Sequence, residues 1–379
     1  MKKTLARIFS IALVLVMAVA LLASCGGGAK NYAENNTEYF IGATGPLTGD
    51  ASSYGISVNN GAKLAIKEIN AKGGLNGVLF KYEMKDDQAT AALAASGYDA
   101  LYEAGMQISI GSVTSGSCEQ FASKSEENNL LFMTPSASTA SVIENRANGF
   151  RICFGDPDQG ILSARKIAAE YSKIGAIYDT SDAYSSGVYD AFKAEMDKLG
   201  KTFTVKTFDK ENNKDFSAQV EALKDCDVIF LPIYYTEAGL IAKMAASKGC
   251  KAVLFGCDGF DGIAGQLDAT VTNKIMYITP FDVNSTDTTV KSFVDAYKAE
   301  YNDALPDQFA ADGYDAVYAI YNAMKAANVD NVKISASELC DIVRAKLTDS
   351  TFKFKGATGE VTWNEKGEPT KVPQIVEFN

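Results

Sequence analysis

Histidine is missing from all 379 residues. Without it no Ser-His-Asp or Cys-His relay can form, and no zinc site built on imidazoles. The phosphate-cradling pattern GxxxxGK[ST] is missing too, as is any clustered set of metal-ligating residues. The chain is therefore a poor hydrolase and a poor nucleotide enzyme, and no cofactor or metal is expected. The cysteines form no CxxC and no spacing that reads as a disulfide framework. Most of them have apolar or small neighbours, so they read as small core residues; one disulfide is conceivable, with no pair assignable. Lys and Arg number 36 against 47 Asp and Glu. That acidic balance argues against nucleic acid or anionic lipid as a partner.

Only the beginning of the chain carries a long apolar run. Lys2, Lys3 and Arg7 precede Ile8 to Leu22, apolar except for Ser10, and Leu22-Ala23-Ser24-Cys25 is followed by three glycines. A basic start, a short apolar stretch and small residues at the end describe an export signal over 1–24. The run is short for a membrane span. Leu-Ala-Ser-Cys resembles the bacterial lipobox, in which the cysteine is acylated and becomes the first residue of the mature protein. An ordinary signal with an incidental cysteine is the alternative. The Gly/Ala/Asn-rich stretch that follows suits a flexible tether over 25–36, and so favours a lipid anchor at Cys25. Loss of 1–24 removes three positive charges and no negative ones, taking the net charge from −11 to −14.

The rest alternates regularly. Glu38 to Ala43 reads as a strand, and Val58, Ala62, Ala65, Ile66 and Ile69 recur at helical spacing up to Gly73-Gly74. Val78 to Met84 is the next strand, Ala89 to Tyr102 a helix, Gln107 to Gly111 a strand, Cys118 to Glu127 a helix, and Leu130 to Met133 a strand. The pattern restarts at Lys173 to Asp179 and runs through strands at 203–208, 227–232, 252–256 and 274–278, with helical stretches between. Two further helices contain Tyr297 and Tyr318, and a last β segment holds Trp363. Strand–helix alternation predicts an α/β fold with parallel sheets covered on both faces, and the length suggests two domains.

Ordered motifs then carry a resemblance. They are Gly45-Pro46-Leu47-Thr48-Gly49 with Tyr54-Gly55, Glu68 to Gly74, Gly111-Ser112-Val113-Thr114-Ser115-Gly116, and Thr134-Pro135-Ser136-Ala137-Ser138. Phe150-Arg151 with Asp158-Gln159-Gly160, Ala183-Tyr184-Ser185-Ser186-Gly187, Tyr234-Tyr235-Thr236-Glu237, Gly256-Cys257-Asp258-Gly259 and Gly313-Tyr314-Asp315-Ala316 complete the set. With this spacing the chain resembles the branched-chain amino acid (Leu/Ile/Val-type) binding proteins of ABC importers, over nearly the whole mature length. The resemblance implies the periplasmic-binding-protein type I fold, with two doubly wound parallel-sheet lobes, a three-strand hinge and a ligand cleft. Lobe one would be 37–156 plus 283–372, and lobe two 157–282 plus 373–379. It further implies closure on a ligand, docking on membrane permease subunits, no catalysis, and a monomer.

The chemistry of an amino acid fits those motifs. A carboxylate wants hydroxyls and N–H groups at helix starts, which Val113 to Ser117 and Ser136-Ala137-Ser138 can supply after strands. By the resemblance Ser115 and Ser138 donate hydroxyls, with backbone help near Ala137; Ser138 stands where the family usually has Thr. An ammonium wants a carboxylate, and Asp258 is the candidate. Tyr54, Tyr184 and Tyr234 match contact positions for the side chain. Tyr235 is adjacent, and on a strand end only one of the pair could face the cleft. Phe154 and Phe260 are further candidates, while Asp86, Asp87, Asp312 and Asp315 read as structural caps and turns. The competing readings are a sensory module, and a receptor for an amide, urea or an aromatic acid; the last has no need of Asp258.

Overall fold

The computed structural model describes residues 30–371 and 373–378. The expected export signal and Cys25 lie outside the described residues. Two sheets organise the rest. The first has β1 (Tyr39–Gly45), β2 (Phe80–Asp86), β3 (Ile108–Ser109), β4 (Phe132–Thr134) and β5 (Gly149–Arg151), all parallel, in the order β2-β1-β3-β4-β5. Every residue of β1 is buried, as a strand covered by helices on both faces must be. Helices α1 (Ser52–Ala71), α2 (Ala91–Glu103) and α3 (Ser115–Glu127) connect these strands.

The second sheet has β6 (Ile174–Asp179), β7 (Thr204–Phe208), β8 (Val228–Leu231), β9 (Val253–Gly256) and β10 (Ile275–Thr279). Helices α4 (Asp156–Glu170), α5 (Ala183–Lys198), α6 (Ser217–Leu223) and α7 (Tyr235–Ser247) alternate with them. The chain then returns to the first sheet through α8 (Thr288–Glu300), α9 (Gln308–Ala326), α10 (Ala336–Leu347) and a hairpin of β11 (Phe354–Gly356) with β12 (Gly359–Val361). It crosses once more to place β13 (Gln374–Phe378) beside β10, in the order β13-β10-β9-β8-β6-β7. The α/β architecture is the one read from the alternating pattern.

Some local readings shift. The strand expected at Leu130–Met133 runs Phe132–Thr134, and β5 and α10 were not read as elements. β13 is antiparallel to β10, against an all-parallel expectation. The reason is geometric: the last crossing delivers the chain at the carboxyl end of β10, so it can only run back down the edge. The tether expected through Asn36 is not free over its second half. Asn31 Nδ2 donates to Lys333 O, Asn36 Nδ2 donates to Gly105 O, and Ala33 is 3 % exposed. Six cysteines lie in the described part, all free; Cys226 is half-buried and the other five are buried. Burial pushes the thiols of Cys118 and Cys340 up to about 12, so they stay protonated small core residues.

One helix pair sets the shape of lobe one. α1 and α9 approach so closely that a Cβ on Gly61 would lie 1.9 Å from Ala310 O, and one on Gly313 would lie 2.5 Å from Val58 O. Backbone cannot yield as a side-chain tip can. Gly61→Ala is therefore expected to destabilise by about 1–3 kcal/mol or more. Urea unfolding would read this as a lower midpoint at unchanged slope; an unmoved midpoint would contradict the close approach.

Candidate functional site

Both sheets reverse their strand order, between β1 and β3 in one and between β6 and β8 in the other. The crevice outside the carboxyl ends of the strands at such a switch is where doubly wound sheets bind ligands. The loops that leave these ends carry Tyr54, Val113, Thr114 and Ser115 from lobe one and Tyr184, Tyr234 and Asp258 from lobe two, and they meet around one cavity. Ser136, Gly259 and Phe309 complete its wall.

The lobes touch directly here. Tyr54 Oη donates to Gly259 O at 2.5 Å and accepts from Tyr235 N at 2.9 Å. Gln308 Nε2 donates to Asp258 O at 2.7 Å, and Gln308 N donates to Asp261 Oδ2 at 2.9 Å. Tyr184 stacks on Tyr234 with centroids 5.1 Å apart. The space left is about 20 Å³, room for about one water. The cleft is closed, and an amino acid can enter only if the lobes part. Wider hollows of about 250 and 360 Å³ open beside Asn31 and beside Lys371, but few unsatisfied polar atoms gather there.

At the cleft they do gather. Buried side-chain atoms without a partner include Thr114 Oγ1, Ser117 Oγ, Ser138 Oγ, Asp156 Oδ1 and Oδ2, Gln159 Nε2, Asp258 Oδ1 and Gln308 Oε1. Leaving a buried polar group unpaired costs about 1–3 kcal/mol each. Thr114 and Asp258 line the cavity, and Gln159 and Gln308 bond the Asp258 backbone beside it, which makes this cleft the candidate site.

The candidates divide accordingly. Ser115 opens α3 and its Oγ accepts from Ser138 N at 3.2 Å and Thr139 N at 3.4 Å, leaving its proton to give. Ser138 is fully buried with its hydroxyl unspent. Arg151 holds this loop from beneath: its guanidinium donates to Ser138 O and to Thr139 O, and is itself wholly buried. Ser136 lines the cavity, but its hydroxyl is used on Val113 O at 2.6 Å. Ala137 N is likewise used, on Thr134 Oγ1 at 3.0 Å. The backbone help expected near Ala137 is thus committed to shaping the turn. Asp258 opens a single 3₁₀ turn, with its N–H on Gln159 Oε1 at 3.0 Å. Burial pushes its carboxyl up to about 7.

Other readings are amended. Tyr234 and Tyr235 both pack on Tyr54, at 5.4 and 4.9 Å between centroids, because they stand at the start of α7 rather than on a strand end. Phe154 and Phe260 belong to the cores, the latter lying over Gly256. Asp86 and Asp87 are structural as read: Asp86 gathers Leu47 N and the Thr48 hydroxyl, and Asp87 takes the Ser112 hydroxyl.

Two groups escaped the sequence reading. Asp156, two residues before Asp158, was given no role. Asp158 does bond the Gly155 N–H, whereas Asp156 is 2 % exposed with both oxygens unpartnered. Burial first, then Asp258, pushes its carboxyl well above the usual range, against the Ser138 hydroxyl and Arg151. The signal was its i, i+3 relation to Gln159, which puts both on one helix face. Phe309, 4.4 Å from Tyr54, comes from a distant helix and gave no local signal.

Comparison with known proteins places the chain in a family. The family model for periplasmic binding proteins matches residues 38–378. The chain is 30 % identical over 341 residues to the Leu/Ile/Val-binding protein BraC3 of Rhizobium johnstonii, covering 87 % of this chain and 88 % of that one. Leu/Ile/Val-binding protein homolog 2 of Brucella abortus is 27 % identical, covering 96 % and 95 %. Among solved structures, the branched-chain amino acid transporter substrate binding protein LivJ from Streptococcus pneumoniae, in complex with isoleucine, superposes with a TM-score of 0.81 at 27 % identity, covering 90 % and 96 %. A solute binding protein from R. palustris in complex with benzoate, at 18 % identity and TM-score 0.78, covering 90 % and 93 %, shares the fold. The chain belongs to the periplasmic binding protein family of type I fold, in the company of the Leu/Ile/Val-binding proteins, and is a binding protein rather than an enzyme.

Proposed function

We propose that this protein is an exported lipoprotein, anchored at Cys25 on the outer face of the cell membrane, that delivers an amino acid to an ABC importer. It works as a monomer. The ligand is a free α-amino acid with a branched or other apolar side chain. The observation that carries this reading is the set of buried polar atoms left without a settled partner: the Ser138 hydroxyl beside the Asp156 carboxyl, and the Asp258 carboxyl at the cavity wall. An α-carboxylate fits the hydroxyl and the N-terminus of α3, and an α-ammonium fits the carboxylates. Tyr54, Tyr184, Tyr234 and Phe309 would wall the side chain. The two relatives named for Leu/Ile/Val support the side-chain class. Lobe one would move against lobe two about the three crossings, as a hinge.

A thermal-shift screen of the common amino acids and aromatic acids on residues 30–379 tests the ligand class. A ligand at a hundredfold excess over Kd adds about 2.7 kcal/mol of stability. The expected result is a shift by leucine, isoleucine or valine and none by benzoate. The benzoate-bound neighbour makes a plain acid the second reading; a shift by benzoate alone would establish it, since an acid offers nothing to Asp156 and Asp258.

A further inference from the structure

The segment before β1 is clamped at the centre of one end of lobe one. Asn31 Oδ1 accepts from Ala33 N at 2.9 Å, and Asn36 N donates to Ala33 O at 2.9 Å, folding 31–36 into consecutive turns. The Asn36 amide donates to Gly105 O at 2.9 Å and to Gln107 Oε1 at 3.1 Å. Gln107 is wholly buried and reaches on to Val332 O and Ile334 O. Tyr32 meets the Tyr102 ring edge-on at 5.2 Å. Gly105, Gln107 and Asn129 precede β3 and β4, so this is the amino end of the sheet, opposite the cleft at the carboxyl ends.

The clamp sets a length. From Cys25 to Lys30 the chain spans five residues, at most about 18 Å; released as far as Glu38 it would span thirteen, about 45 Å. We propose that the docked strap Asn31–Asn36 holds this end of lobe one against the outer leaflet of the membrane and keeps the far end of lobe two away from it. The proposal rests on acylation of Cys25. The partner is a lipid surface, chosen by the length of chain left between the anchor and the clamp. Exposed charge at this end is mixed, with Lys30 and Lys333 against Glu103, Glu126 and Glu127. Such a surface can rest at a headgroup layer without inserting.

The test uses the full acylated chain in vesicles of phosphatidylcholine that carry a headgroup acceptor dye. A donor is placed by a noncanonical amino acid at Glu103, beside the strap, or at Lys201, which precedes β7 at the opposite end of lobe two. Strong energy transfer from Glu103 and background transfer from Lys201 are expected. The double variant Asn31→Ala/Asn36→Ala should raise transfer from Lys201. Equal transfer from both positions in the unsubstituted strap overturns the proposal while leaving the anchor intact. A chain that fails to float with the vesicles removes the anchor, and the orientation with it.

Discussion

Replacing Asp258 by Asn is expected to weaken binding of the preferred amino acid by at least about 30-fold, because a desolvated ammonium–carboxylate pair is worth about 2–5 kcal/mol. The side chain keeps its size, so the closed cleft keeps its shape and the loss reports charge. The pH dependence gives a second readout. Burial raises the Asp258 carboxyl from 3.8 to about 7 in the closed, empty cleft, so near neutrality that form often holds a proton. Pairing with an ammonium requires the ionised form, so binding expels that proton. Kd should therefore rise by up to about tenfold per unit as pH falls below 7. The free fold obeys the opposite sign. Between 3.8 and about 7 the folded Asp258 binds more protons than the unfolded chain does. It therefore costs stability as pH climbs through that window, and bound ligand should remove the cost. Asp156 acts in the same direction. Calorimetric titration at pH 5.5, 7 and 8 on both proteins decides. A Kd independent of pH, unchanged in Asp258→Asn, would take Asp258 out of the site.

The second large effect lies behind the cleft. Lys371 Nζ donates to Asp312 Oδ1 and to Thr358 Oγ1, each at 2.7 Å, and both charged side chains are 3 % exposed. Lys371 stands just before the last crossing to β13, so the pair ties that crossing to α9. Lys371→Met leaves Asp312 buried beside Asp315 with no cation, which should cost about 3–5 kcal/mol. Burial already holds the Asp312 carboxyl at about 6 in spite of the lysine. Without the lysine it rises further, so Asp312 can escape the penalty by taking a proton at low pH. The loss should be larger at pH 8 than at pH 5, and adding Asp312→Asn to Lys371→Met should recover part of it. Denaturant unfolding at the two pH values measures this; an equal, small loss at both would mean that the pair contributes little.

Much of this protein was legible before any coordinates. Short, largely apolar runs alternating with period-3.6 runs specify a doubly wound α/β fold, because a strand covered on both faces is apolar throughout while a helix buries one stripe. The loops after β3, β4, β8 and β9 announced themselves as Gly-, Ser- and Tyr-rich stretches at strand ends, which is where such sheets bind ligands. Within those loops the family resemblance singled out Ser115 and Ser138, and the need of an ammonium for a carboxylate singled out Asp258. What stayed hidden depends on contacts between distant segments. Ser136 and Ala137 read as donors to a ligand until the turn itself was seen to use their polar groups. Asp156 and Asp158 look alike in the sequence, and only packing buries one and leaves the other to cap. Phe309 reaches Tyr54 across more than 250 positions. The direction of β13 follows from where the last crossing arrives. Local pattern by itself determined most of the elements and the α/β class, since propensity, periodicity and turn chemistry act within a few residues. Only the tertiary structure decided which polar atoms remain unspent, since that depends on which neighbours the fold supplies.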